Sequence, residues 1–155
     1  FTTIAEKMKP KELAVFLNDY FESLSEPLRR HGVDVIEFRA DGIMCAWTAE
    51  ESAPEPRRHA IAAALDAVAA IDAFKARHAL LSQNLRIGLE TGMVYVGHAG
   101  GGGHFVYSIV GDSANTAARI EGLNKHLGTQ LLVSRAALED VTGVVTRFVG
   151  EFRFV

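Results

Sequence analysis

The chain holds one cysteine, four prolines and one tryptophan in 155 residues, and the scarcities narrow what it can be. The lone thiol, Cys45, cannot close an intrachain disulfide, and without a CxxC partner it suits a reducing compartment and a cytoplasmic domain. The longest unbroken apolar run, Ala60 to Leu65, is far short of the roughly 20 residues needed to cross a bilayer. Lys and Arg form no run, and 16 basic against 19 acidic residues leave a formal charge of −3, which removes the electrostatic basis for nucleic acid or anionic lipid as a partner. The six histidines follow neither HExxH nor Cys/His zinc spacing, and there is no GxSxG elbow. What remains is a globular composition, 48% apolar and 23% charged, at a length that suits one domain with one core. Because the sequence starts at Phe1 without a methionine, a fragment of a longer protein is expected.

Pro10 suits a first helical turn, and Leu13, Phe16, Leu17, Tyr20, Phe21 and Leu24 recur at three- and four-residue steps, predicting an amphipathic helix that ends near His31-Gly32. Val33 to Arg39 and Ile43 to Trp47 read as a β-hairpin turning at Asp41-Gly42. Ile61, Ala64, Leu65, Val68, Ile71 and Phe74 mark a second, Ala-rich helix to about Ala79. The alternation Leu85, Ile87, Leu89 is expected to continue through Met93 to Val96 and to pair with Phe105 to Val110 in a long hairpin whose tip is Gly100 to Gly103. Asp112 or Ser113 is expected to cap a third helix with Ala114, Ala117, Ala118, Ile120 and Leu123 on its apolar side. A strand at Gln130 to Val133, a short helix capped by Ser134, and strands at Val144 to Phe148 and Glu151 to Val155 complete an α+β reading: a sheet of antiparallel hairpins covered by helices, with no internal domain boundary over residues 1–155.

Three features are candidates for chemistry. Asp41 is placed where a carboxylate can hold a hard cation against a ligand phosphate, although Asp-Gly is also a favoured two-residue turn. Asn115 and Arg119, four apart on one helix, face the same way and can reach one bound molecule, an amide toward a ribose and a guanidinium toward a phosphate; a solvated helix face is the plain alternative. Gly100 to Gly103 fit neither GxxxxGK[ST] nor GxGxxG and read as a hairpin tip. Cys45, in an apolar strand, is expected to be buried.

Taken in order, three stretches resemble the catalytic domain of class III nucleotidyl cyclases, the adenylate and guanylate cyclases. Phe1-Thr2-Thr3-Ile4-Ala5-Glu6 looks like the end of a DxxGFT segment, Arg39-Ala40-Asp41-Gly42-Ile43-Met44 like a GDxxM hairpin, and Val110 to Ile120, with Asn115 and Arg119, like a GxxxNxAxR helix. The resemblance implies a ferredoxin-like α+β domain, lacking here its first strand, that acts as a head-to-tail homodimer and cyclises ATP or GTP at the subunit interface. It implies Asp41 as a ligand of two Mg²⁺ or Mn²⁺ ions, with a second ligand Asp upstream of Phe1. The backbone at Phe1, Thr2 and Thr3 would bind phosphates, Asn115 would orient the ribose, and Arg119 would neutralise charge developing on the α-phosphate. The family's cationic triphosphate partner has only Arg153 as a substitute here. The two base-facing positions fall on Glu37 and Ser108. A carboxylate at Glu37 accepts from guanine N1–H and N2–H₂ and offers adenine N1 no donor, so it leans toward GTP, whereas a serine serves either purine. The other reading is a catalytically silent cyclase-homology domain that dimerises or binds nucleotide to regulate a partner. A sensory or membrane region elsewhere in the full-length protein is compatible with both.

Overall fold

The computed structural model describes residues 4, 8–39, 42–49 and 53–154, and of residue 105 the backbone alone. Helix α1 (Pro10–Arg30) starts with proline in its first turn, and the Lys9 backbone N–H, ahead of that turn, donates to Glu12 Oε2 at 3.3 Å. Its residues Phe16, Tyr20, Leu24 and Leu28, one helical turn apart, are buried. They face α2 (Pro54–Arg77), which buries Ile61, Ala64, Ala67, Ile71 and Phe74. The Phe74 ring meets Phe16 and Tyr20 edge-on at centroid distances of 5.5 and 5.8 Å, and with Ile4 and Leu81 these side chains form the larger core cluster.

Strands β1 (Val35–Arg39) and β2 (Gly42–Ala46) form the expected antiparallel hairpin, in a register that sets Glu37 opposite Met44 and Arg39 opposite Gly42. Gly42, assigned to the turn from sequence, is instead the first residue of β2. The expected long hairpin divides. Strand β3 (Ile87–Leu89) pairs in parallel with β6 (Leu131–Val133), while β4 (Tyr95–Gly101) pairs antiparallel with β5 (His104–Val110). Two contacts draw β3 away. Ile87 N–H donates to Gln130 at 2.7 Å and Ser134 N–H to Leu89 at 3.0 Å, prolonging the parallel ladder at both ends. Gly88 also lies so close to helix α3 (Asp112–Leu127) that a Cβ there would collide with the Ala117 carbonyl oxygen and the Glu121 nitrogen. The β4–β5 tip is Gly102-Gly103, with φ of 60° and 84°, the backbone of a two-residue primed turn.

Three further expectations are corrected. Helix α3 begins at Asp112 itself, with Gly111 as its N-cap and no side-chain cap; Asp112 then contributes a negative charge to the first turn, where the helix dipole favours it. Within α3, Ala114 and Ile120 are buried as expected, but Ala118 is exposed. Residues 144–154 contain no strand: Val145, Phe148 and Phe152 are exposed, since apolar side chains alone supply no ladder edge for the backbone. The short helix α4 (Arg135–Leu138) is capped as expected, Ala137 N–H donating to Ser134 Oγ at 3.1 Å.

A smaller cluster of Val35, Ile109 and Ala114, with Met44, Ala46, Val94 and Val96 against it, joins the first hairpin to β5 and the start of α3. Between β2 and β3 lies an open cleft of about 1650 Å³, lined among others by Met44, Ala46, Leu85, Ile87, Ala114 and Ala117.

Candidate functional site

Strand alternation places Val35, Glu37 and Arg39 on one side of β1. Val35 anchors that side in the cluster shared with Ile109 of β5, so Glu37, two residues on, is carried up to β5. Its Oε2 accepts from Ser108 Oγ at 3.0 Å, from the Ile109 N–H at 3.1 Å and from Arg39 Nη2 at 3.2 Å, while Oε1 accepts from Arg39 Nε at 2.8 Å. The Arg39 bonds, reinforced by those from Ile109 and Ser108, hold the carboxyl well below the ordinary range, at about 2, against a burial penalty acting the other way. Glu37 is therefore a fixed, ionised acceptor. The two positions marked as base-facing, Glu37 and Ser108, stand in direct contact, and Arg39 joins them.

Ser108 precedes the turn that launches α3. Gly111, with φ of 154° and ψ of 170°, adopts a conformation that L-residues with side chains rarely reach. Its carbonyl accepts from the Asn115 N–H at 3.2 Å. One turn later comes Arg119. Asn115 and Arg119 are both exposed, and among the described residues neither side chain has a hydrogen-bond or ion-pair partner. An amide and a guanidinium stacked on one helix face are thus presented to solvent or to a bound molecule. Burial of Ala114 and Ile120 on the same helix keeps that face outward.

Asp41, Phe1, Thr2 and Thr3 lie outside the described residues. Among the described residues no group of three or more His, Cys, Asp or Glu side chains converges as a metal site would. His98 meets Tyr107 edge-on at 5.4 Å, an aromatic contact. Arg153 is exposed and belongs to no strand. Cys45 is half-buried rather than buried; desolvation of its thiol pushes it up to about 12, which keeps it protonated and removes it as a nucleophile.

Sequence reasoning overlooked two residues that hold the site's scaffold. Asn124, almost fully buried, donates through Nδ2 to the Ile87 carbonyl at 2.9 Å and accepts from Thr129 Oγ1 at 2.8 Å, tying α3 to β3 and to the turn after the helix. Its position four residues after Ile120, on the apolar face, was the available signal. Arg39 was read only as part of a hairpin motif. Its spacing of two from Glu37 was the clue that both share a strand face.

Residues 1–147 match the family described as Adenylate and Guanylate cyclase catalytic domain. Adenylate cyclase 1 of Rhizobium meliloti is 32% identical over 148 residues, covering 94% of this chain and 22% of that protein. The receptor-type guanylate cyclase gcy-20 of Caenorhabditis elegans is 30% identical over 155 residues, covering 99% of this chain and 14% of that protein. The chain thus spans less than a quarter of the length of either relative. Among solved structures, a bacterial light-regulated adenylyl cyclase superposes with a TM-score of 0.78 at 26% identity, over 93% of this chain and 42% of the other. The guanylyl cyclase Cya2 superposes at 0.71 and 29% identity, over 90% and 71%. With the α+β architecture shared and the family match running through both the β1–β2 hairpin and α3, the chain belongs to the adenylate and guanylate cyclase catalytic domain family.

Proposed function

We propose that this domain converts a purine nucleoside triphosphate, GTP in preference to ATP, to the 3′,5′-cyclic nucleotide and pyrophosphate. The observation that carries the base preference is the Glu37–Ser108 contact at 3.0 Å, which holds an ionised carboxylate at the position expected to face the base. Guanine offers two adjacent donors, N1–H and N2–H₂, to such a carboxylate; adenine offers a lone pair at N1, which a carboxylate repels.

In the reaction the ribose 3′-oxygen bonds to the α-phosphorus, the bond from that phosphorus to the bridging oxygen breaks, pyrophosphate departs, and the hydroxyl proton passes to water. Asn115 orients the ribose so that the 3′-oxygen lies in line. Arg119 offers N–H donors to the α-phosphate oxygens as charge builds on them. Exposure of both side chains without partners of their own supports these roles. Asp41 and an acidic residue upstream of Phe1 would hold two Mg²⁺ or Mn²⁺ ions, which when bound acidify the attacking hydroxyl and stabilise the leaving oxygens.

The active unit in this reading is a head-to-tail homodimer, with Asp41 from one chain and Asn115 and Arg119 from the other. Exposed apolar side chains along the second hairpin and its approach, Met93, Tyr95, Val106, Tyr107 and Val110, offer a surface for the second copy. Since purine triphosphates are intracellular, the domain is placed on the cytoplasmic side.

The test is complementation in a protein extended upstream of Phe1. Asp41→Ala and Asn115→Ala chains are each expected to be inactive with Mn²⁺ and GTP, and mixing them should restore activity, because one of the two sites in a heterodimer is then unmutated. Verified heterodimers without recovery would reject the shared site. If the unmutated dimer binds nucleotide but releases neither cyclic product nor pyrophosphate, the silent regulatory domain replaces the enzyme reading.

A further inference from the structure

Four donors converge on the Glu37 carboxylate, three of them on Oε2. A carboxylate oxygen has two lone pairs, so Oε2 has no room for another donor. Any base that reads Glu37 with a two-donor edge must first displace something. Ser108 Oγ is part-buried and the Ile109 N–H belongs to the β5 backbone, so both are fixed by the fold. Arg39 is not. Its side chain is 48% exposed against 18% for Glu37, and it stands opposite Gly42, which has no side chain to hold it.

The chemistry of the displaced group matches that of the incoming one. Arg39 presents Nε–H and Nη2–H as a parallel pair of donors to the two carboxylate oxygens, 2.8 Å to Oε1 and 3.2 Å to Oε2. Guanine presents N1–H and N2–H as a parallel pair along one edge. Both are the N–H fork of a guanidine unit, which in guanine is formed by ring N1, C2 and the exocyclic N2. Adenine has no such pair on that edge.

We propose that Arg39 is a latch that sets the affinity for GTP: it occupies Glu37 as an intramolecular stand-in for the guanine edge, and only a base carrying the same donor pair displaces it. The proposal rests on the base-reading role of Glu37 given above. The latch lowers the apparent affinity for GTP, because part of the binding energy goes into releasing Arg39, and it leaves ATP, which gains nothing from the freed carboxylate, unable to open it.

The experiment measures KM and kcat separately for GTP and ATP, with Mn²⁺, in the full-length protein and its Arg39→Ala and Arg39→Lys variants. An exposed ion pair is typically worth 0.2–1 kcal/mol, so Arg39→Ala is expected to lower KM for GTP by roughly 1.5- to 5-fold and to leave KM for ATP within error. Arg39→Lys keeps the charge but not the fork and should follow Arg39→Ala. A KM for GTP that is unchanged or raised in Arg39→Ala would overturn the latch, since a residue that merely orients Glu37 gives that result. A lysine variant indistinguishable from the unmutated protein would overturn the fork-matching argument. Glu37→Gln separates the two levels: if it leaves the GTP/ATP ratio of kcat/KM unchanged, the base-reading role of Glu37 has failed, and the latch with it.

Discussion

Ser108 Oγ lies 3.0 Å from Glu37 Oε2, joining two side chains 71 residues apart in the chain. The serine comes from β5 and the glutamate from β1, and they meet because Val35 and Ile109 pack in one small cluster beside them. The polar contact thus depends on an apolar one.

The Glu37 carboxyl, lowered from 4.5 to about 2, makes stability depend on acidity. A depressed folded value means the unfolded chain takes up the proton first, so the stabilisation is fully present above pH 4.5 and is lost as pH falls through about 2. Urea unfolding at pH 7, 4.5 and 3 should show the natural chain losing part of this stability at the lowest pH, and Glu37→Gln losing less across the same interval. Parallel curves for the two would refute the ionised, fully bonded carboxylate.

Arg119→Ala is expected to lower turnover by roughly 10²- to 10³-fold, the usual cost of removing one transition-state donor. Because Arg119 is exposed and makes no ion pair among the described residues, unfolding free energy should move by less than about 0.5 kcal/mol. Parallel turnover and denaturation measurements check both halves. A rate loss accompanied by equal unfolding would mean the residue serves the fold.

Gly88→Ala and Gly122→Ala should act in opposite directions. At Gly88 an added Cβ meets the backbone of α3, which cannot yield as a flexible side chain would, and a loss of roughly 1–3 kcal/mol or more is expected. At Gly122, inside α3, nothing lies within 4 Å of the added carbon, and alanine should stabilise the helix by roughly 0.5–1 kcal/mol. Equal and small effects at both sites, read by denaturant unfolding, would mean that β3 is not packed on α3 as described.

Local patterns were legible where a single segment carries its own signal. Pro10 and the four-residue spacing of Phe16, Tyr20 and Leu24 gave α1, the alternation around Glu37 gave β1, and Ser134 gave the cap of α4. Partner choice was less visible. Leu85, Ile87 and Leu89 alternate like any strand, but nothing in that alternation says that Ile87 pairs with Leu131 in parallel, because the preference arises from Gly88 meeting α3 and from bonds to Gln130 and Ser134. Val145 and Phe148 misled for the complementary reason: their apolar side chains suggested a strand that no neighbouring edge completes.

The same division holds at the candidate site. Sequence alone determined that Asn115 and Arg119 share a helix face, because a separation of four residues fixes that through helix geometry, and the order of its motifs identified the family. Only the tertiary structure decided that Glu37 is already occupied, by Ser108 and Ile109 from β5 and by Arg39 from its own strand. Helical and strand periodicities are properties of the backbone and extend over a few residues. The set of donors around a carboxylate is instead settled by which elements pack together, and here that was settled by Val35 of β1, Ile109 of β5 and Ala114 of α3 in one cluster.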